Sequence, residues 1–109
     1  MQVVAILCRG DKPLRRKATR VCSPGGSNPE WNEVLMFNVP PEVLPHVDLQ
    51  LVVMETDLLS HDRMIGTCRL GAFLPGTPGS HWRIMLTQQT QPVAMWHFLS
   101  TPYLQSEYG

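Results

Sequence analysis

Long apolar runs are missing from this chain of 109 residues. No stretch approaches the ~20 apolar residues that a membrane-spanning helix needs, so none is predicted. Cysteine is scarce and odd in number. Cys8, Cys22 and Cys68 form no CxxC pair, which argues against a disulfide framework or a zinc site and for a reducing, cytosolic setting. Catalytic signatures are missing too: there is no G-x-S-x-G elbow, no P-loop and no HExxH. Cys22, His61 and Asp62 could be drawn as a nucleophile site, but nothing in the sequence places them together, and no enzyme is expected. Basic residues are not interleaved with aromatics and the formal net charge is zero, which speaks against nucleic acid as a partner. Internal repeats and low-complexity segments are absent, and 43% hydrophobic with 17% charged residues is the composition of a folded domain rather than a disordered tail.

What the chain does have is turn formers. Ten prolines and eight glycines call for many turns, which fits an all-β sandwich of one small domain better than a helical bundle. Residues 1–8 are apolar without a basic flank or a small-residue cleavage site, so they read as a strand over 2–8 and not as a signal peptide. Gly10-Asp11-Lys12-Pro13 marks a turn. Alternating residues predict strands at 14–22, 32–39, 48–54, 64–70 and 93–99. Pro40-Pro41 ends the second of these, and a helical turn is expected over 41–47 with Pro41 near its start. Ser23-Pro24-Gly25-Gly26-Ser27-Asn28-Pro29 is a loop by composition. Ser80 reads as the N-cap of a short helix over 81–88, with Trp82 and Met85 facing inward at helical spacing. The polar stretch 100–109 reads as a frayed tail.

The zero net charge conceals a segregation. Six of the nine basic residues lie between Arg9 and Arg20, opposed only by Asp11. Such an imbalance points to a local electrostatic site.

Three groups of residues resemble one family. Gly79-Ser80-His81-Trp82-Arg83-Ile84-Met85-Leu86 carries an HW-x-x-ML run, followed by Gln91-Pro92-Val93-Ala94-Met95-Trp96-His97-Phe98-Leu99. Residues 28–40 follow the pattern NP-x-[WYF]-NE-x-x-x-F-x-VP, and Met64-Ile65-Gly66 supplies an x-IG. Together they resemble the synaptotagmin family, and within it the second of the two tandem C2 domains. The resemblance covers nearly all of residues 3–99. It implies a C2-type antiparallel β-sandwich with Greek-key connections and one short helix before the last strand: a partial C2 domain over 1–99 followed by a flexible tail over 100–109. It sets Met1 where the family's third strand begins. The first two strands and the first calcium loop are therefore expected to lie outside this chain, leaving apolar faces and edges exposed.

The resemblance also implies where function resides. Family members hold calcium with Asp at the first, third and ninth places of a D-x-D-x(5)-D run, because the ion needs six to eight hard oxygens. Here the first place is Glu55, the third is Asp57 and the ninth is Arg63. A cation in a ligand's place opposes a divalent ion by about 4 kcal/mol per unit charge at close range. Loss of calcium binding is therefore expected, with no other cofactor or metal. Leu58 and Leu59 form the tip of that loop, which in the family can enter the lipid interface; packing within the loop is the competing reading. Lys12, Arg15, Arg16 and Lys17 resemble the family's polybasic strand, which implies contact with phosphoinositide or phosphatidylserine membranes or with acidic proteins. Alternation puts Arg16 and Arg20 on one face and Arg15 and Lys17 on the other. Four such charges give about 4 kcal/mol, a roughly millimolar interaction, unless charges on a sandwich edge serve only to discourage aggregation. Trp96, His97 and Leu99 match the family's WH-x-L signature, which implies vesicle docking or contact with a membrane protein. The packing alternative has Trp96 and Leu99 sealing the base of the sandwich and His97 capping a loop. The expected role is a calcium-independent module of vesicle trafficking and exocytosis, peripheral on the cytosolic face of a vesicle or plasma membrane. SNARE and other trafficking proteins, and like or unlike C2 chains in an oligomer, are the implied protein partners. A protein-interaction or oligomerisation domain without lipid affinity is the alternative.

Overall fold

The computed structural model describes residues 1–22, 29–56, 62–88 and 91–101. Asp57, Leu58, Leu59, the loop over 23–28 and the tail over 102–109 lie outside the described residues.

Residues rich in Val, Ile and Leu form strand β1, Gln2–Arg9. The turn at Gly10-Asp11 reverses the chain into β2, Lys12–Ala18. After a 3₁₀ turn at Leu44–His46 come β3, Asp48–Thr56, β4, Asp62–Leu70, and helix α1, Gly76–Thr87. The four strands make one antiparallel sheet in the order β2-β1-β3-β4. β1 therefore lies inside the sheet and β2 at its edge. The burial follows: Val4, Ala5, Leu7 and Cys8 are buried, whereas every residue of β2 is exposed.

The side chains of β1 and β3 split by parity. Val3, Ala5 and Leu7 share the inner face with Leu49 and Leu51, their register partners being Val53, Leu51 and Leu49. There Leu7 joins Val47, Leu70 and Trp82 in the core, with Phe37, Val39, Leu44, Cys68 and Met85 packed around them. Trp82 reaches this core from α1 and anchors it twice, by burial and by donating its indole N–H to the Leu44 carbonyl at 3.3 Å. Both inward positions expected for the helix, Trp82 and Met85, face the core.

Four elements differ from the expectation. Helix α1 begins at Gly76 and not near Ser80. Pro78 falls in its first turn, where a missing N–H costs nothing. Gly79 lies so close to the Leu74 carbonyl that a Cβ there would sit 1.8 Å from the oxygen, so this tight entry needs a residue without a side chain. Residues 32–39 form no strand. Their alternation survives, with Leu35, Phe37 and Val39 half-buried and Val34, Met36 and Asn38 exposed. A strand needs a ladder partner as well as a period of two, and the segment has none among the described residues. The same holds for 93–99, beside which, among the described residues, a single bridge forms between Ser100 and Thr67. Two backbone hydrogen bonds make that bridge, Thr67 to Ser100 at 3.0 Å and the reverse at 2.8 Å. Gly66 permits the approach, since a Cβ there would meet the Cβ of Leu99 at 2.8 Å.

β2 ends at Ala18 although alternation continues to residue 22. Its antiparallel track runs on through Thr19 N–H to the Val3 carbonyl (2.9 Å) and Cys22 N–H to the Met1 carbonyl (2.7 Å). The buried Thr19 hydroxyl breaks the ladder by accepting from the Val3 N–H at 2.9 Å and donating to the Arg20 carbonyl at 3.0 Å.

Replacing Thr19 by Val leaves the part-buried Val3 N–H without its acceptor and is expected to cost about 1–2 kcal/mol. Trp82→Ala empties the core and is expected to cost about 3–5 kcal/mol. Phe73, 84% exposed, gives the reference: Phe73→Ala stays within about 0.5 kcal/mol. Urea unfolding at constant slope ranks the three.

Candidate functional site

The basic cluster lies on β2, and its geometry follows from the register with β1. Arg15 lies opposite Leu7, Arg16 opposite Ile6 and Lys17 opposite Ala5. Opposed residues share a face, so Arg15 and Lys17 rise on the inner side of the sheet and Arg16 on the outer side, as alternation predicts. The register shifts by one residue between Leu7 and Cys8, which leaves Leu14 unpaired in a bulge. Beyond the bulge Lys12 pairs with Arg9, so the hairpin end carries two adjacent cations. Lys12, Arg15, Arg16 and Lys17 are all exposed.

The four cations are not equivalent. Lys17 is engaged within the chain. Its ammonium donates to the Met36 carbonyl and stands 5.4 Å from the centre of the Phe37 ring. It ties the unladdered 32–39 segment to the edge of the sheet and is a weaker candidate for an external anion than its neighbours. Arg16 borders a shallow depression on the outer face, lined by Gln2, Val4, Ile6, Val52, Met54 and Asp62. Arg16 thus has an apolar floor beside it, formed by Val4, Ile6, Val52 and Met54.

The acidic loop positions are partly described. Glu55 and Arg63 are register partners on β3 and β4, and the Arg63 guanidinium donates to a Glu55 carboxylate oxygen at 2.7 Å. Two places that the family pattern gives to carboxylates thus hold an internal ion pair. Among the described residues no group of three or more His, Cys, Asp or Glu side chains could hold a metal ion.

The WH-x-L residues depart most from the packing expectation. Trp96 is 97% exposed and Phe98 99%, so Trp96 seals nothing. The extended segment turns Val93, Met95 and His97 inward and Trp96 outward, and in the absence of a ladder neighbour no second layer covers the outward row. Leu99 is exposed as well, with its Cβ lying over Gly66. Nor does His97 cap a loop. Its ring lies 5.0 Å from that of His81 on α1, nearly parallel to it. This pairing, like the Lys17 contact with Phe37, has no signature in spacing. His81 and His97 belong to different elements, and only the fold brings them together. No helix among the described residues is long and apolar enough to cross a membrane.

Among the described residues the scaffold thus consists of an antiparallel sheet with a polybasic edge at β2, a Glu55–Arg63 pair across β3 and β4, and one α-helix after β4. Comparison with known proteins matches it. The model of the C2 domain family covers residues 2–85. Over 97 residues the chain is 37% identical to synaptotagmin-6 of Rattus norvegicus, spanning 89% of this chain and 19% of that protein. It is 35% identical over 94 residues to synaptotagmin-10 of Homo sapiens (86% of this chain, 18% of the relative) and 32% identical over 106 residues to synaptotagmin-C of Diplobatis ommata (97% and 20%). The chain therefore spans about a fifth of the length of these relatives. A single antiparallel β scaffold, a family match over most of the chain and homologues of one name place this chain in the C2 domain family, as a homologue of the synaptotagmins.

Proposed function

We propose that this chain is a calcium-independent C2 module of vesicle trafficking and exocytosis that binds anionic phospholipid through its β2 edge. The observation that carries this reading is an edge strand exposed along its whole length and bearing Lys12, Arg15, Arg16 and Lys17. Such a strand meets a flat, negatively charged surface without rearrangement. Each cation near an anionic surface contributes about 1 kcal/mol. Because Lys17 is engaged by Met36 and Phe37, the contact rests chiefly on Arg15, Arg16 and Lys12. Calcium independence is supported by the Arg63–Glu55 ion pair: a calcium ion at Glu55 would have to displace a guanidinium and then sit beside it. Asp57, Leu58 and Leu59 complete the reading from sequence alone, as a degenerate calcium loop and a membrane-facing tip. The module would act on the cytosolic face of a vesicle or plasma membrane, with SNARE or other trafficking proteins as protein partners.

A second reading has its own observation. Val34 (82%), Met36 (69%), Trp96 and Phe98 are exposed on segments without ladder partners, a surface suited to protein contact or oligomerisation without lipid.

Sedimentation with vesicles containing phosphatidylserine and a phosphoinositide, in the presence of a chelator, separates the two. Binding is expected to persist with the chelator and to weaken about 30-fold in Arg15→Gln/Arg16→Gln, the equivalent of two contacts of about 1 kcal/mol each. No binding at any anionic composition overturns the lipid reading and leaves the second. Lys17→Gln is expected to weaken vesicle binding less than Arg16→Gln does. It also lowers stability by about 0.5–1 kcal/mol through the lost cation–π contact, read by urea unfolding. Calorimetric titration with calcium is expected to give no binding heat at tens of micromolar, and a saturable response there refutes calcium independence.

A further inference from the structure

His81 and His97 share a hydrogen bond whose direction the surroundings determine. His81 Nδ1 lies 2.7 Å from His97 Nε2, and His81 Nε2 lies 3.0 Å from the Val93 carbonyl oxygen. A carbonyl only accepts, so His81 carries its proton on Nε2 and presents a lone pair at Nδ1. His97 must then donate from Nε2, which leaves its Nδ1 as the bare nitrogen of a neutral ring. That atom is buried and has no partner among the described residues. Both rings are neutral in this arrangement, and together they join the segment over 91–101 to α1.

An added proton has no comfortable place. On His81 Nδ1 it sets two N–H groups against each other at 2.7 Å. On His97 Nδ1 it creates a buried N–H, part of an imidazolium, with no acceptor. Burial holds the His97 imidazole below its usual range near 6.5, and a proton on the neighbouring His81 ring would push it in the same direction. Among the described residues no other packed group offsets this. On α1 the other charged side chain, Arg83, is bound to the Ala72 and Leu74 carbonyls. On β4, Arg63 pairs with Glu55, Arg69 pairs with Asp48, Asp62 stands at the strand's start and burial raises the Cys68 thiol. Glu42 and His46, before and in the Leu44–His46 turn, are exposed. The described segment over 91–101 holds no charged group besides His97.

We propose that His81 and His97 form a proton-operated latch, which holds the 91–101 segment to α1 at neutral pH and releases it in mild acid. The sign follows from linkage. A base held below its usual range binds a proton more readily once released. The latched state is thus undisturbed above about pH 6.5 and loses ground as pH falls through and below that value. Release frees the Trp96 and Phe98 row from its tether to the helix.

Long-range ¹H–¹⁵N spectra of the imidazoles, with amide exchange corrected for its intrinsic pH dependence, test this on the full chain. At pH 7.5 both rings are expected as Nε2–H tautomers. Between pH 7.5 and 5.5 the protection of the Thr67 and Ser100 amides is expected to fall on the order of tenfold. His97→Gln, which still donates but cannot titrate, is expected to keep that protection within about twofold. An Nδ1–H tautomer at His97, unchanged protection in the unaltered chain, or an acid loss in His97→Gln equal to that of the unaltered chain overturns the latch. The tautomer measurement needs no variant, so it decides even if His97→Gln does not fold.

Discussion

Everything in this molecule depends on the two-sided pairing of β1. Its backbone is bonded to β2 along one edge and to β3 along the other, so its polar groups are satisfied while its side chains enter both faces of the sheet. The pairing places Leu7 against the core, aligns β3 for β4 and determines which residues of β2 look inward and which look out. A slip of one residue would exchange Arg16 with its neighbours and turn the whole basic edge over. The Thr19 hydroxyl bound to the Val3 N–H, and the amino terminus bound to the Cys22 carbonyl, hold that register from the far end.

Electrostatics in this fold is thus set by backbone geometry more than by composition. A run of four cations becomes three roles: Arg16 beside an apolar depression, Arg15 and Lys12 on the free edge, and Lys17 turned back onto the chain. The carboxylate and guanidinium at Glu55 and Arg63 form a cross-strand pair of the exposed kind, which adds little to stability. Its importance lies in the donor atoms it occupies.

Much of this was legible in the residues. The apolar run at 2–8 and the alternation at 48–54 and 64–70 mark the three strands that bury side chains, and periodicity reports burial well. The split of Arg15, Arg16 and Lys17 between faces follows from the same period. The family was legible from the WH-x-L and HW-x-x-ML runs. What could not be read is whatever depends on a partner element. Residues 32–39 and 93–99 carry a strand's alternation without a strand's ladder. Trp96 has the composition of a core residue and the exposure of a surface one. The start of α1 was hidden because a proline and two glycines, which usually end helices, here fill its first turn. The histidine pair was invisible because its two members meet only in three dimensions.

Cys68 packs, half-buried, against the core around Trp82. Burial pushes its thiol up from the ordinary range, so at neutral pH the sulfur stays protonated and is a poor nucleophile. Cys8 is buried on β1. The sheet therefore shelters the Cys8 thiol from oxidants and from exchange with other thiols, and the half-buried Cys68 thiol less completely. A shift between reducing and oxidising surroundings thus reaches Cys8 only once the strands part, and meets at Cys68 a thiol held in its less reactive protonated form.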